Sequence, residues 1–340
     1  MHQHSAPAVA REGARRDDEP LAHARRQALG VGRSGGPVRT VFFVGKGGVG
    51  KTTSSASLAF HLASAGGKVY WVSIDPAHNL CDIAGCRPFR GAREIAPNLL
   101  AEEIDMERCT EAYIEKNIAR MKETYRYLGI LNLEGAFDIL RYSPGMEEAA
   151  VTAALADGIR RYRERIDCIV VDTPPTGLML RMFALPFTSI LWIEKLSEWR
   201  RTILGRRKTV NSILGKDSPY REAGDEAGED PVLRELGVEA ERASFLKAVF
   251  ADACVVLVTD QERLSLDESL RIRDGLARIG IGISLVLLNK FRALNETGKR
   301  TIEAFSDRTV VKVPFVEDTA DRKVLAETAA GWAELITRTE

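Results

Sequence analysis

The sequence predicts a doubly wound α/β sheet, mostly parallel, with helical inserts. Three observations carry that prediction. From Val38 onward, continuous apolar runs of strand length alternate with stretches of helical periodicity. Strands covered by helices on both faces read as unbroken apolar runs rather than alternating ones. One run, Val41-Phe42-Phe43-Val44, enters a glycine-rich turn at 45–53, and a helical segment leaves it. Two further runs end in aspartate, at Asp75 and Asp172. In open α/β sheets, ligands bind outside the carboxyl ends of the strands.

Taken in order, residues 1–37 are rich in Ala, Arg, Gly and His and lack periodicity. They read as a disordered tail, or as residues ahead of the true start. Strands are expected at 39–44, 68–74, 166–171, 253–259, 283–288 and 309–313. A helix runs from Thr52 through Leu58, Ala59 and Leu62 to a stop at Gly66-Gly67. Another is expected at 265–279, opened by a capping box from Ser265 to Glu268. Residues 38–340 thus form one domain. Its pattern is interrupted at about 106–150 and 187–250, which read as helical inserts. In the first, Ile114, Ile118, Met121, Tyr125 and Leu128 share a helical face. In the second, Trp192, Leu196, Trp199, Ile203, Val210 and Leu214 do so, ringed by Lys195, Arg200, Arg201, Arg206, Arg207 and Lys208. Either the two faces pack together as core, or they form an exposed apolar groove for a partner.

The 340 residues carry 48 basic and 48 acidic side chains, so no global field favours nucleic acid or an acidic membrane. Cys81, Cys86, Cys109, Cys168 and Cys254 include no C-x-x-C pair, which fits reduced thiols in a cytoplasmic protein. No apolar run is expected to reach the length of a membrane span. The N-terminus has no apolar segment of the secretory kind.

The chemistry concentrates at Gly45-Lys46-Gly47-Gly48-Val49-Gly50-Lys51-Thr52-Thr53, which fits G-x-x-x-x-G-K-[ST] in its strand–loop–helix setting. Small residues let backbone N–H groups approach phosphate oxygens, and the helix N-terminus adds its positive end. Lys51 can reach the β- and γ-phosphates, and Thr52 can ligate Mg²⁺. Asp75, in Asp75-Pro76-Ala77-His78-Asn79-Leu80, can orient an attacking water or hold the metal. Asp172, in Asp172-Thr173-Pro174-Pro175-Thr176-Gly177, stands where a strand-terminal carboxylate fixes Mg²⁺ through water. The site therefore calls for ATP and Mg²⁺. Lys46 is surplus to an ordinary phosphate loop.

The GKGGVGKTT string resembles the deviant P-loop of a group of dimeric ATPases, whose extra lysine reaches the other subunit's nucleotide. Such a lysine does the work of an arginine finger, worth about 10³–10⁵ in rate. DPAHNL with Asp82 two residues on, Tyr142-Ser143-Pro144-Gly145 followed by acids, and DTPPTGLMLRMFALP at 172–186 narrow the resemblance. They are similar to the ArsA-type arsenite-pump ATPases and the guided-entry targeting ATPases for tail-anchored proteins. The resemblance spans about Val38 to the C-terminus. It implies the SIMIBI-type P-loop NTPase fold and a homodimer, or a dimer with a paralogue. It also implies that Lys46 acts across the dimer, that Gly47 to Thr53 cradle phosphates, that Asp75 aligns the hydrolytic water and that Asp172 opens the second switch. Asn289 matches an adenine-reading asparagine, and Pro314 a residue of the base-binding wall.

The departures matter too. Arsenite-pump members carry a cysteine after the Pro-Gly and a histidine after the Pro-Thr-Gly. Here Met146 and Glu147 follow Gly145, and Leu178 follows Gly177. Trivalent arsenic needs soft thiolates. Eukaryotic targeting members join subunits through a zinc-bound C-x-x-C, and no cysteine lies between Asn289 and Val310, so no zinc clasp is expected. The leading expectation is an ATP-driven dimeric switch acting on a hydrophobic protein client or a membrane transporter. The alternative is the soluble catalytic subunit of arsenite or antimonite efflux. A partition-type ATPase binding DNA or membrane through 195–208 is a further alternative, and no nucleic acid is expected.

Overall fold

The computed structural model describes residues 38–74, 80–124, 143–214, 230–317 and 321–337, and the elements below are those of the described residues. The first half comprises β1 (Arg39–Val44), α1 (Lys51–Ser64), β2 (Val69–Ser73), α2 (Leu80–Ala84), β3 (Arg93–Ala96), β4 (Leu99–Glu103), α3 (Met106–Thr124) and α4 (Met146–Tyr162). Then come β5 (Cys168–Asp172), α5 (Thr176–Leu214), α6 (Pro231–Ala251), β6 (Cys254–Thr259) and α7 (Arg263–Ala277). The chain continues with β7 (Leu285–Phe291), α8 (Glu296–Ala304), β8 (Thr309–Pro314), α9 (Arg322–Ala330) and α10 (Ala333–Thr337).

The strands form one sheet in the order β3-β4-β2-β5-β1-β6-β7-β8. Every pairing is parallel except β3 with β4. The expected doubly wound sheet is therefore present, and each expected strand lies within it. Two strands, β3 and β4, were not expected. Both are short and carry charge, Arg93 and Glu94 on β3 and Glu102 and Glu103 on β4; β3 is the edge strand, with one side of its ladder open, and β4 lies between it and β2.

Alternation along β1 builds two cores. Val41 and Phe43 face α1, α9 and α10, with Leu58, Leu62, Leu325 and Trp332. Phe42 and Val44 face the other layer, with Leu155, Phe183, Phe250 and Ile272. There Phe42, Phe183 and Phe250 pack as a triangle with ring centroids 4.5 to 5.4 Å apart. Aromatic contacts of this kind add about 0.5–1.5 kcal/mol each beyond buried area. They tie α5 and α6 to the strand that delivers the glycine-rich loop.

Two expectations about helices are corrected. Ser265 does not cap a helix, because α7 begins at Arg263 after Glu262. Ser265 lies inside the first turn, its buried Oγ without a hydrogen-bond partner. The second insert is also not separate. α5 is one helix of 39 residues that starts at Thr176 and runs through Pro186. Moreover, Thr176–Leu214 is long and apolar enough, by length and composition, to cross a membrane, contrary to the expectation that no such run exists. Met179, Met182 and Phe183 in its first half are buried against the sheet, so this half serves as a crossover helix.

Candidate active site

The glycine-rich loop leaves β1 in the middle of the sheet, where the strands on either side, β5 and β6, belong to later parts of the chain. Its geometry explains its glycines. Gly45 has φ 156°, and a Cβ there would stand 2.2 Å from the Val258 carbonyl oxygen of β6. Gly50 has φ 96°, and a Cβ would meet Asn289 Nδ2 at 2.3 Å. Only glycine lets the loop pass this close to both strands. α1 then begins at Lys51. Lys51 and Thr52 are buried at its N-terminus, and Lys51 Nζ donates to the Lys46 carbonyl at 3.4 Å. Thr53 is half-buried, while Gly47 and Gly48 are exposed and Val49 is buried.

Asp172 is fully buried at the end of β5 and faces the end of β1 in register with Phe43. Its Oδ2 accepts a hydrogen bond from Ser73 Oγ at 3.2 Å. Next to it, Thr173 donates through Oγ1 to the Phe43 carbonyl at 2.7 Å, which pins the loop after β5 to β1. Thr176, the first residue of α5, is buried with its hydroxyl unpartnered. Asp75 lies outside the described residues, as do 76–79. The strand that delivers it ends beside Asp172, since the Ile74 N–H donates to the Asp172 carbonyl at 3.0 Å. Thr52 and Asp172 together offer one hydroxyl and one carboxylate. Mg²⁺ favours such a sparse oxygen set, completed by water and phosphate.

Asn289 comes from β7 and is brought to the loop: its Nδ2 donates to the Val49 carbonyl at 2.8 Å. Pro314 closes β8 and pairs with Phe291, exposed at the surface. Beside it, Arg292 lies over the Phe315 ring at 4.4 Å. Two residues that the sequence reading missed also reach the loop. Lys290 Nζ donates to the Gly48 carbonyl at 2.7 Å. Glu262, at the start of α7, pairs with Lys46 at 3.7 Å. The signal available for Lys290 was its place next to Asn289. Nothing local marks Glu262.

Beyond the loop, α3, the first turn of α4 and the first third of α5 border a cavity of about 1230 Å³. Ser143, Met146, Glu147, Glu148 and Arg181 line it, and Glu148 pairs with Arg181. Among the described residues, no cysteine or histidine lines it. Further along α5, Trp192, Leu196, Trp199, Ile203, Val210 and Leu214 are exposed, the two tryptophans at 64% and 57%. That stripe is therefore not core. In the first insert Ile114 is buried and Ile118 half-buried, while Tyr125 and Leu128 lie outside the described residues. Arg200 of α5 is bidentate to the buried Asp230, which also caps α6 by accepting from the Leu233 N–H at 2.9 Å.

A family model described as anion-transporting ATPase matches residues 38–322. A protein of Aquifex aeolicus named as an arsenical pump-driving ATPase is 30% identical over 296 residues, covering 83% of this chain and 94% of that protein. The ATPase get3 of Aspergillus terreus is 32% identical over 262 residues, covering 74% of this chain and 73% of its own length. The ATPase GET3 of Candida glabrata is 33% identical over 264 residues, covering 74% and 71%.

Proposed function

Since this chain belongs to the anion-transporting (ArsA-type) ATPase family and is an ATP hydrolase of the P-loop class, we propose that it works as a Mg·ATP-dependent dimeric switch in the cytoplasm, coupling hydrolysis to the holding and release of a hydrophobic protein client. The observation that carries this reading is α5. One end, Thr176, stands four residues after Asp172, and its second half carries an exposed apolar stripe. A single element thus joins the nucleotide site to a surface suited to an apolar helix.

In this reading the loop from Gly47 to Thr53 binds the phosphates, with Lys51 beside them. Thr52 and Asp172 would hold Mg²⁺, the latter through water, and the ion would supply positive charge against the phosphates. Asp75 orients the hydrolytic water. Lys46 leaves its own subunit and places its charge at the nucleotide of the second subunit, which makes the dimer the catalytic unit. Asn289 and Pro314 meet the adenine.

The alternative is a catalytic subunit for arsenite or antimonite efflux, which the name of the Aquifex aeolicus relative favours. The chemistry of the cavity at Met146 and Glu147 argues against it, because a thioether and a carboxylate replace the thiolate that trivalent arsenic needs. One experiment separates the two: the ATPase rate of the purified protein against arsenite, antimonite and a peptide forming an apolar helix. A response to the peptide alone supports the client reading. A response to the metalloids alone overturns it.

A further inference from the structure

Two consecutive residues at the end of β7 grip two consecutive carbonyls of the phosphate-binding loop. Asn289 Nδ2 holds the Val49 oxygen at 2.8 Å, and Lys290 Nζ holds the Gly48 oxygen at 2.7 Å. Across a trans peptide, the carbonyl and the following N–H point in opposite directions. Drawing the Gly48 oxygen toward β7 therefore turns the Val49 N–H away from it. Drawing the Val49 oxygen the same way turns the Gly50 N–H. These amides form the concave side of the loop, where an anion is bound by main-chain donors.

Lys290 takes up an unfavourable backbone conformation to do this. Its φ is 53°, one of two positive values at non-glycine residues among those described. The β7–β8 register shifts between Leu288 and Phe291, so the pairing is irregular where the lysine turns back. Non-glycine residues in this region are held there by their surroundings and cluster at functional sites. A lysine that merely decorated the surface would have continued the strand into solvent. The loop side is fitted to the Asn289 contact, since Gly50 has no Cβ to block its amide.

We propose that Lys290 is a positioning residue of the nucleotide site: with Asn289 it pre-sets the amides of the loop, so that nucleotide binds a formed cradle rather than ordering one. The proposal rests on the reading of 45–53 as a nucleotide site. Its role is positional because Lys290 contacts the loop from behind, through a carbonyl. Pre-organisation of this kind shows in affinity more than in chemistry.

The test uses the full chain with Lys290→Met, which keeps the stem and loses the ammonium, and Lys290→Arg, which keeps the charge. Binding of a fluorescent ADP analogue is followed by stopped flow, with KM and kcat for ATP measured alongside. Lys290→Met should raise the dissociation constant by about tenfold, the worth of one charge-assisted hydrogen bond, chiefly through faster release. It should raise KM more than it lowers kcat, and Lys290→Arg should recover most of the loss. Hydrogen exchange of the 45–52 segment without nucleotide should be faster in Lys290→Met, with the melting temperature unchanged. Unaltered exchange in that segment would overturn the proposal whatever nucleotide does. So would equal weakening in both variants with a lowered melting temperature, which marks a purely structural lysine. Failure of the unmodified protein to bind ADP would instead sink the nucleotide-site reading, and the exchange experiment keeps the two apart.

Discussion

Lys46 stands 3.7 Å from the Glu262 carboxylate of its own chain. The pair is solvent-exposed, and exposed pairs contribute about 0–1 kcal/mol. Glu262 is thus only a weak tether for Lys46, which the proposed dimer would draw outward. Lys46→Ala should leave ATP binding nearly intact and lower turnover by about 10²-fold or more, as loss of an arginine finger does. Mixing it with Asp75→Asn should restore about a quarter of the wild-type rate, since random pairing makes about half the dimers mixed and each has one intact site. No rescue at any ratio, with subunit exchange verified, would place Lys46's action within its own subunit.

Lys51 and Asp172 should separate binding from metal use. Lys51→Ala should abolish measurable nucleotide binding or turnover. Asp172→Asn keeps the shape of a fully buried side chain but removes its charge. The Mg²⁺ concentration for half-maximal ATPase should rise by about tenfold or more, by analogy with altered metal-site partners. A titration of rate against Mg²⁺ decides it, and an unchanged midpoint removes Asp172 from the metal site.

Arsenite should stimulate the ATPase little. Burial and the neighbouring Cys86 raise the pKa of the Cys81 thiol, and burial pushes that of Cys109 up to about 11. At neutral pH both are therefore far below their pKa, and the thiolate that binds arsenic is scarce. Alkylation of these two thiols should accelerate only as pH climbs toward those values. A several-fold, thiol-dependent stimulation at neutral pH would show that a metalloid site exists despite Met146 and Leu178.

The stripe on α5 should be functional without being stabilising. Trp192→Glu and Trp199→Glu change exposed side chains, so stability should move by no more than about 0.5 kcal/mol. Binding of an apolar helical peptide, followed by fluorescence anisotropy, should be lost. A large fall in melting temperature would mean that the stripe is covered by the chain's own residues.

Asp230 should make stability sensitive to acid. Burial works to raise its pKa, but the Arg200 guanidinium and the Leu233 amide outweigh it and hold the carboxyl below its ordinary value. A depressed pKa means that the stabilisation is complete above the ordinary value of 3.8 and fades as pH falls through the folded-state value. Asp230→Ala at neutral pH leaves Arg200 without its buried partner and uncaps α6, at a cost of about 3 kcal/mol. Urea unfolding at pH 7 and at successively lower pH below 3.8 measures both effects, and the difference between the two proteins should shrink as pH falls.

Much of this fold could be read from patterns that burial imposes. Val41 to Val44, Ile169 to Val171 and Val255 to Val258 are buried on both faces, so their unbroken apolar runs marked strands. β3 and β4 escaped because both are short and charged, Arg93 on the edge strand and Glu102 on the strand beside it. The loop was legible because its glycines answer to close contacts with Val258 and Asn289. Lys290 and Glu262 were not, because each acts on a partner more than two hundred residues away in sequence. The fate of the α5 stripe was undecidable from periodicity, since the same spacing serves a core face and an exposed one.

At about 1.5 Å per residue, the 39 residues of α5 span about 58 Å. The helix therefore has the proportions of a lever arm whose short end is held by Phe183 between Phe42 and Phe250. A tilt of about 5° about that point, with Pro186 as the natural place for a bend, would carry the far tip sideways by about 4 Å. A shift of about 1 Å at Thr176 would thereby grow about fourfold by Ile213 and Leu214.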